Sequence, residues 1–233
     1  MKKIFYISAV FTLISCGKIA PKGEIVIKEI QVSDFQEING SGKFRMFWVN
    51  APQNRIEVET YPNIFENLDI KVKNGTLILK EKRETKNVDF YNITVYGKYN
   101  PSRISASDSV EINVSGEIKT DNFRLNLKNN GKFIGAVRSR KTEVSMENTS
   151  LANFKGFTEN AEIKIKDTAN LLAPYWMINN LKIESKNGNY AEVNVKDSLK
   201  GTIDDTAKFL YYNNPVRAFK VGKNTKVENK NLE

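Results

Sequence analysis

The sequence predicts an all-β protein whose later part winds as a β-solenoid. Three observations predict it. Apolar and polar residues alternate along nearly every segment after residue 30, as in Leu68-Asp69-Ile70-Lys71-Val72 and Ile163-Lys164-Ile165, which is the period of a strand with one buried face. No amphipathic stretch of ten residues or more has helical spacing. Similar short units recur through the second half at an interval near twenty residues, the signature of coils that bury their apolar sides only by stacking.

Taken from the N-terminus, the first element is a leader. Lys2 and Lys3 precede an apolar run of 11 residues, Ile4 to Ile14. A membrane-spanning helix needs about 20 apolar residues, so the run has the length of a signal-peptide core instead. Leu13-Ile14-Ser15-Cys16 looks like a bacterial lipobox, and Cys16 is the chain's single cysteine. The expectation is a lipoprotein signal over 1–15, acylation of Cys16, and export to the cell envelope of a Gram-negative bacterium. Loss of Lys2 and Lys3 takes the net charge from +9 to +7.

Residues 16–29 carry Gly17, Pro21 and Gly23 without periodicity and read as a tether. A single β domain is expected over 30–221, with a hairpin-rich part at 30–100, solenoid repeats at 101–221 and a tail at 222–233. In the first part, Asn39-Gly40-Ser41-Gly42 reads as a turn leading into an apolar strand from Phe44 to Val49. Asn74-Gly75 reads as a two-residue type I′ turn, because both residues tolerate positive φ. In the second part the repeats align on Leu127, Met146, Ile165, Ile183 and Ile203, in steps of 19, 19, 18 and 20, and Ile104 starts an earlier copy. Stacked coils place these side chains in one internal column, about 4.8 Å apart. An antiparallel sandwich or barrel with evenly spaced hairpins shares the spacing, but it does not call for the small polar residue that follows each aligned position.

With Phe35-Gln36-Glu37-Ile38 before Gly40, Ile56-Glu57-Val58-Glu59, Gly201-Thr202-Ile203-Asp204-Asp205-Thr206-Ala207 and Leu210-Tyr211-Tyr212-Asn213-Asn214-Pro215, the chain resembles the putative auto-transporter adhesin head GIN domain family over roughly residues 32 to 220. The resemblance implies a right-handed β-helix-like fold and supplies no catalytic residues. The family's Ser-Gly-Ser-Gly corners have become Asn148-Thr149-Ser150, Asp167-Thr168-Ala169 and Asp205-Thr206-Ala207. With the glycines gone, ordinary bends are expected there rather than corners at positive φ.

Composition narrows the chemistry. There is no histidine, which removes imidazole-based nucleophilic catalysis and, with one cysteine, most zinc sites. No cofactor, metal site or catalytic residue is expected. The corner column Asn129, Asn148, Asp167, Ser185 and Asp205 reads as side chains bonding turn amides. Calcium held by Asp204 and Asp205 with Asp167 would have to bridge two coils, about 10 Å. Basic residues interleave with acids, as in Arg138-Ser139-Arg140-Lys141 ending beside Glu143, so a solvated face is expected and no nucleic acid. Lys18 and Lys22, next to Cys16, stand where they would meet anionic headgroups. Candidate ligand rings are Tyr175-Trp176, displaced by Pro174, and Tyr211-Tyr212. The expected role is a lipid-anchored, non-catalytic structural, adhesive or binding module with a glycan or protein partner. The alternative is an envelope carbohydrate-active enzyme, a glycosidase or lyase, on a β-helix scaffold.

Overall fold

The computed structural model describes residues 17–231; the leader 1–15 and Cys16 lie outside the described residues. The chain forms β1 (Val26–Gln31), β2 (Glu37–Gly42), β3 (Arg45–Asn50), β4 (Arg55–Thr60), the short helix α1 (Pro62–Glu66), β5 (Leu68–Lys73), β6 (Thr76–Glu81), β7 (Tyr91–Gly97) and β8 (Arg103–Asp108). Long strands follow: β9 (Glu111–Leu127), β10 (Lys132–Met146), β11 (Leu151–Ile165), β12 (Asn170–Ser185) and β13 (Tyr190–Ile203). The last coils are β14 (Lys208–Tyr212), β15 (Val216–Val221) and β16 (Lys226–Lys230). From β9 to β16 every pairing is parallel, each strand lying on the one a coil earlier. The result is an all-β solenoid of about seven turns.

Within a coil, alternation of buried and outward residues breaks at fixed places. In β10 it breaks at Arg140-Lys141, which are exposed in succession, and the coil ends at the exposed pair Asn148-Thr149. Each coil therefore turns at such exposed pairs and keeps its apolar side chains pointing inward. Large and small residues alternate up one internal column: Phe133, Ala152, Leu171, Ala191 and Phe209 are in register and all nearly inaccessible. That interdigitation packs the interior.

The internal column predicted from the repeats exists, with one member exchanged. Leu127, Met146, Ile165 and Ile203 stack in register, but Ser185 stands between the last two. Ile183 belongs two residues earlier, with Ile104, Leu125, Val144 and Ile163. Ser185 is fully buried; its hydroxyl bonds Asn189 Oδ1 at 2.8 Å, and the buried Asn189 amide donates to the Ile165 carbonyl. This pair satisfies its polar groups internally, so a polar side chain occupies an apolar column.

The N-terminal part departs further from expectation. The Asn74-Gly75 turn is present, with φ of 52° and 73° between antiparallel β5 and β6. Yet β2, β3, β6, β7 and β8 also pair in parallel, so the stack begins well before residue 101. Asn39-Gly40-Ser41-Gly42 is no turn. It lies inside β2, where the glycines leave room: a Cβ on Gly42 would sit 2.6 Å from Glu81 Cγ. The tether expected at 16–29 and the tail expected at 222–233 are both partly in the sheet, β1 against β4 and β16 on β14.

Residues 17–22 are also fastened to the domain. The Arg83 guanidinium donates to the Gly17 carbonyl, and Lys18 pairs with Glu84 at 2.9 Å. Ile19 bridges Thr85 through two backbone hydrogen bonds of 2.9 Å. Asn63, on α1, bonds both the Ala20 carbonyl and the Lys22 amide. No described helix is long and apolar enough to cross a membrane.

Candidate functional site

Of the four rings predicted from sequence, the fold sends two outward and two inward. Adjacent residues of a strand face opposite sides, and each predicted pair is a pair of neighbours. Tyr175 is 71% exposed, whereas Trp176 is wholly buried. The Trp176 ring lies 4.3 Å from that of Phe154, and its indole N–H donates to Thr158 Oγ1 at 2.9 Å. Tyr211 is buried, 5.8 Å from the Phe209 ring, and its hydroxyl accepts from Arg217 at 3.0 Å. Trp176 and Tyr211 are thus core residues and leave the candidate surface; Tyr175 and Tyr212 remain on it.

The displacement expected at Pro174 is a β-bulge. The register of β12 on β13 jumps from Ala173↔Val193 to Met177↔Asn194, leaving Pro174, Tyr175 and Trp176 opposite no residue of β13. Asn194 braces the bulge by donating to the Pro174 carbonyl at 3.1 Å. Beside it, two tyrosines converge on one carboxylate: the Tyr190 hydroxyl donates to Glu192 Oε2 at 3.2 Å and the Tyr212 hydroxyl to Glu192 Oε1 at 2.5 Å. Its hydrogen bond to Glu192 pushes the Tyr212 hydroxyl up to about 12, with burial and the neighbouring Tyr190 and Tyr175 adding to the effect. Burial, and then the Glu192 charge, raise Tyr190 as well. Both phenols stay protonated, as donors to Glu192, across the physiological range.

Tyr190 and Glu192 were not singled out from sequence. The signal that would have found them is their spacing of two, which puts both on one face of β13. Together with the exposed Tyr175 and the half-exposed Met177, they form an outward patch of ring faces and apolar surface around one fixed carboxyl group. Such a surface suits a ligand with an apolar face and several hydroxyls: rings stack on the former, and a carboxylate accepts from the latter.

A neighbouring face is a lattice of charge. Arg124 meets Glu143 at 2.8 Å and Lys182 meets Glu162 at 3.0 Å across adjacent coils, bordering a shallow cleft of about 240 Å³. Lys141, and after it Arg124, hold the Glu143 carboxyl below its ordinary range, so this row carries paired anions. The basic run is interleaved in the same way: Arg138 pairs with Glu117 at 3.1 Å and Lys141 with Glu143 at 2.5 Å.

At the principal corner, Asp108, Asn129, Asn148, Asp167, Asn187 and Asp205 all lie at φ between 55° and 66°. The ordinary bends expected there are therefore left-handed corners after all, because Asn and Asp tolerate this region where most side chains do not. Asn187 takes the place expected of Ser185. The column is a hydrogen-bonded ladder. Asp167 Oδ2 accepts the Asn148 backbone N–H at 2.9 Å, Asn187 Nδ2 donates to Asp167 Oδ1 at 3.0 Å, and Asn129 Nδ2 donates to Asp108 Oδ1 at 3.0 Å. Amides separate Asp167 from Asp205, and no group of three or more acids that could hold a metal ion occurs among the described residues.

Solved structures share this architecture. A putative adhesin from Bacteroides fragilis superposes with a TM-score of 0.83 at 17% identity, covering 92% of this chain and all of that one. A putative lipid binding protein from Parabacteroides distasonis gives 0.73 at 14% identity, with 93% and 100% covered. A putative adhesin from Parabacteroides merdae gives 0.69 at 17%, with 93% and 99% covered. No curated protein matches the chain. The sequence profile described as "Putative auto-transporter adhesin, head GIN domain" matches residues 34–215. The chain belongs to that family.

Proposed function

We propose that the protein is a lipid-anchored binding module of the bacterial cell envelope that holds a glycan on the patch formed by Tyr175, Tyr190, Tyr212 and Glu192. One observation carries the glycan assignment: two tyrosines are pinned by a single carboxylate beside a third ring lifted outward by a braced bulge. Rings held this way lose little conformational entropy when a ligand binds. Support for a non-catalytic role comes from the family and from similar structures described as adhesins. Support for the anchor comes from the lipobox ending at Cys16 and from the fastening of residues 17–22 immediately after it.

Two experiments test this. Purified residues 17–233 are incubated with a panel of envelope and host glycans. Saturable binding without products, weakened about tenfold or more by Tyr175→Ala and by Tyr212→Ala, is the expected result. Product formation would replace the reading with a carbohydrate-active enzyme, and binding indifferent to both substitutions would move the site elsewhere. The anchor is tested by metabolic labelling with a fatty-acid analogue, which marks the full chain and fails to mark Cys16→Ser.

A further inference from the structure

Among the described residues, the C-terminal end of the solenoid is an unpaired sheet edge. Gly222 N–H donates to the Ile203 carbonyl and Lys226 N–H to the Ala207 carbonyl. Backbone groups of a strand alternate in direction. Arg217, Phe219 and Val221 of β15, and Val227 and Asn229 of β16, therefore turn their N–H and C=O groups away from the stack. β16 opens a further coil over β14, and no described residue continues that coil over β15. The internal columns are consequently open there: Phe219 continues the column of Gly201, and Val221 that of Ile203, yet Val221 is 50% exposed.

Charge is concentrated at the same place. From Val216 to Lys230 there are five bases, Arg217, Lys220, Lys223, Lys226 and Lys230, against the single acid Glu228. Lys230 is 3.8 Å from Glu228, while Lys220, Lys223 and Lys226 make no ion pair among the described residues. At the opposite end, β1 carries one base and one acid. Lysines on an edge strand keep like edges apart, so two copies meeting at this end repel one another. The same charges attract an anionic strand.

We infer that the β15–β16 end is a docking edge for an extended acidic segment of another polypeptide, which adds a parallel or antiparallel strand over β15. Main-chain hydrogen bonds to Arg217, Phe219 and Val221 hold it, as in other cases of strand addition. Its inward side chains are apolar and cover Phe219 and Val221. Its outward side chains are acidic and face Lys220, Lys223 and Lys226. This surface is separate from the tyrosine patch and does not depend on it.

The test uses residues 17–233 and a labelled eight-residue peptide alternating valine and glutamate, followed by fluorescence anisotropy. Saturable binding is expected, weakening at least fivefold between 50 and 300 mM salt and at least fivefold in Lys220→Glu/Lys226→Glu. A copy of the peptide with alternate backbone nitrogens methylated keeps its charge but not its ladder, and is expected not to bind. Val221→Pro removes one outward N–H at an edge where proline is tolerated and is expected to abolish binding, with an unchanged far-ultraviolet spectrum. Equal binding of the methylated peptide, equal binding of anionic vesicles or a sulfated polysaccharide in its place, or no binding of the parent peptide would each overturn the inference.

Discussion

Asp167 shows how much one corner residue does. It holds φ at 62°, accepts the backbone N–H of Asn148 from the preceding coil and takes the side-chain amide of Asn187 from the following one. Alanine would meet the left-handed penalty of about 1–2 kcal/mol and lose both bonds. Asp167→Ala is therefore expected to cost about 2–3 kcal/mol in urea unfolding, and Asp167→Asn less than about 1 kcal/mol. Glu147 supplies a pH signature. Lys166 and then Lys128 lower its carboxyl below the ordinary value. The stability it contributes is present above the unfolded carboxylate value and disappears as pH falls through the lower, folded one. Glu147→Gln should lose a few tenths of a kcal/mol at pH 7, as partly exposed pairs do, and should match the parent at pH 2. Residue identities predict corner chemistry but not corner geometry, because Asn and Asp reach positive φ where glycine is absent. Similarly, Tyr175-Trp176 and Tyr211-Tyr212 were visible as rings, and only the strand period separates the outward member of each pair from the inward one.

At the scale of elements, close approach between coils sets the limits. Gly156 in β11 has φ of 106°, and a Cβ there would lie 2.3 Å from the Val137 carbonyl oxygen of β10. Gly75 has φ of 73° in its hairpin, with nothing within 4 Å of the same position. Gly156→Ala adds a backbone clash to conformational strain and should cost about 3 kcal/mol or more; Gly75→Ala carries the strain alone and should cost about 1 kcal/mol. Thermal unfolding of the two variants reads the difference directly. Inside the stack, Ser139, Thr142 and Thr158 bond one another within 3.1 Å, and Thr158 also accepts from Trp176. These buried hydroxyls interrupt the apolar pattern without breaking the coil, as Ser185 and Asn189 do at the fourth repeat. Period and hairpin were legible in the sequence because they depend on single residue types. The exchange of Ile183 for Ser185 was not, because a polar residue enters an apolar column only when a folded partner satisfies it, here Asn189.

For the whole molecule, a stack of coils is held by neighbours, and its ends have neighbours on one side only. Hydrogen exchange should therefore be slowest in β10 to β13 and fastest in β1, β15 and β16, whose side chains are largely exposed. Uniform protection along the axis would contradict a chain of nearest-neighbour contacts. The extent of the solenoid was only half visible beforehand. The first coils are assembled from short strands distant in sequence, such as β2 between β6 and β8, and no fixed interval betrays a coil that the chain completes in several visits.

The segment from Gly17 to Lys22, pinned along Arg83 to Lys86 and to Asn63, bears on posture. Were a fatty chain attached at the preceding residue, there would be no slack leash on which the body could tumble. It would stand on its point of attachment at a set tilt, like a post in a socket. Its reach would then be set by the dimensions of the body itself, not by how far a string can stretch.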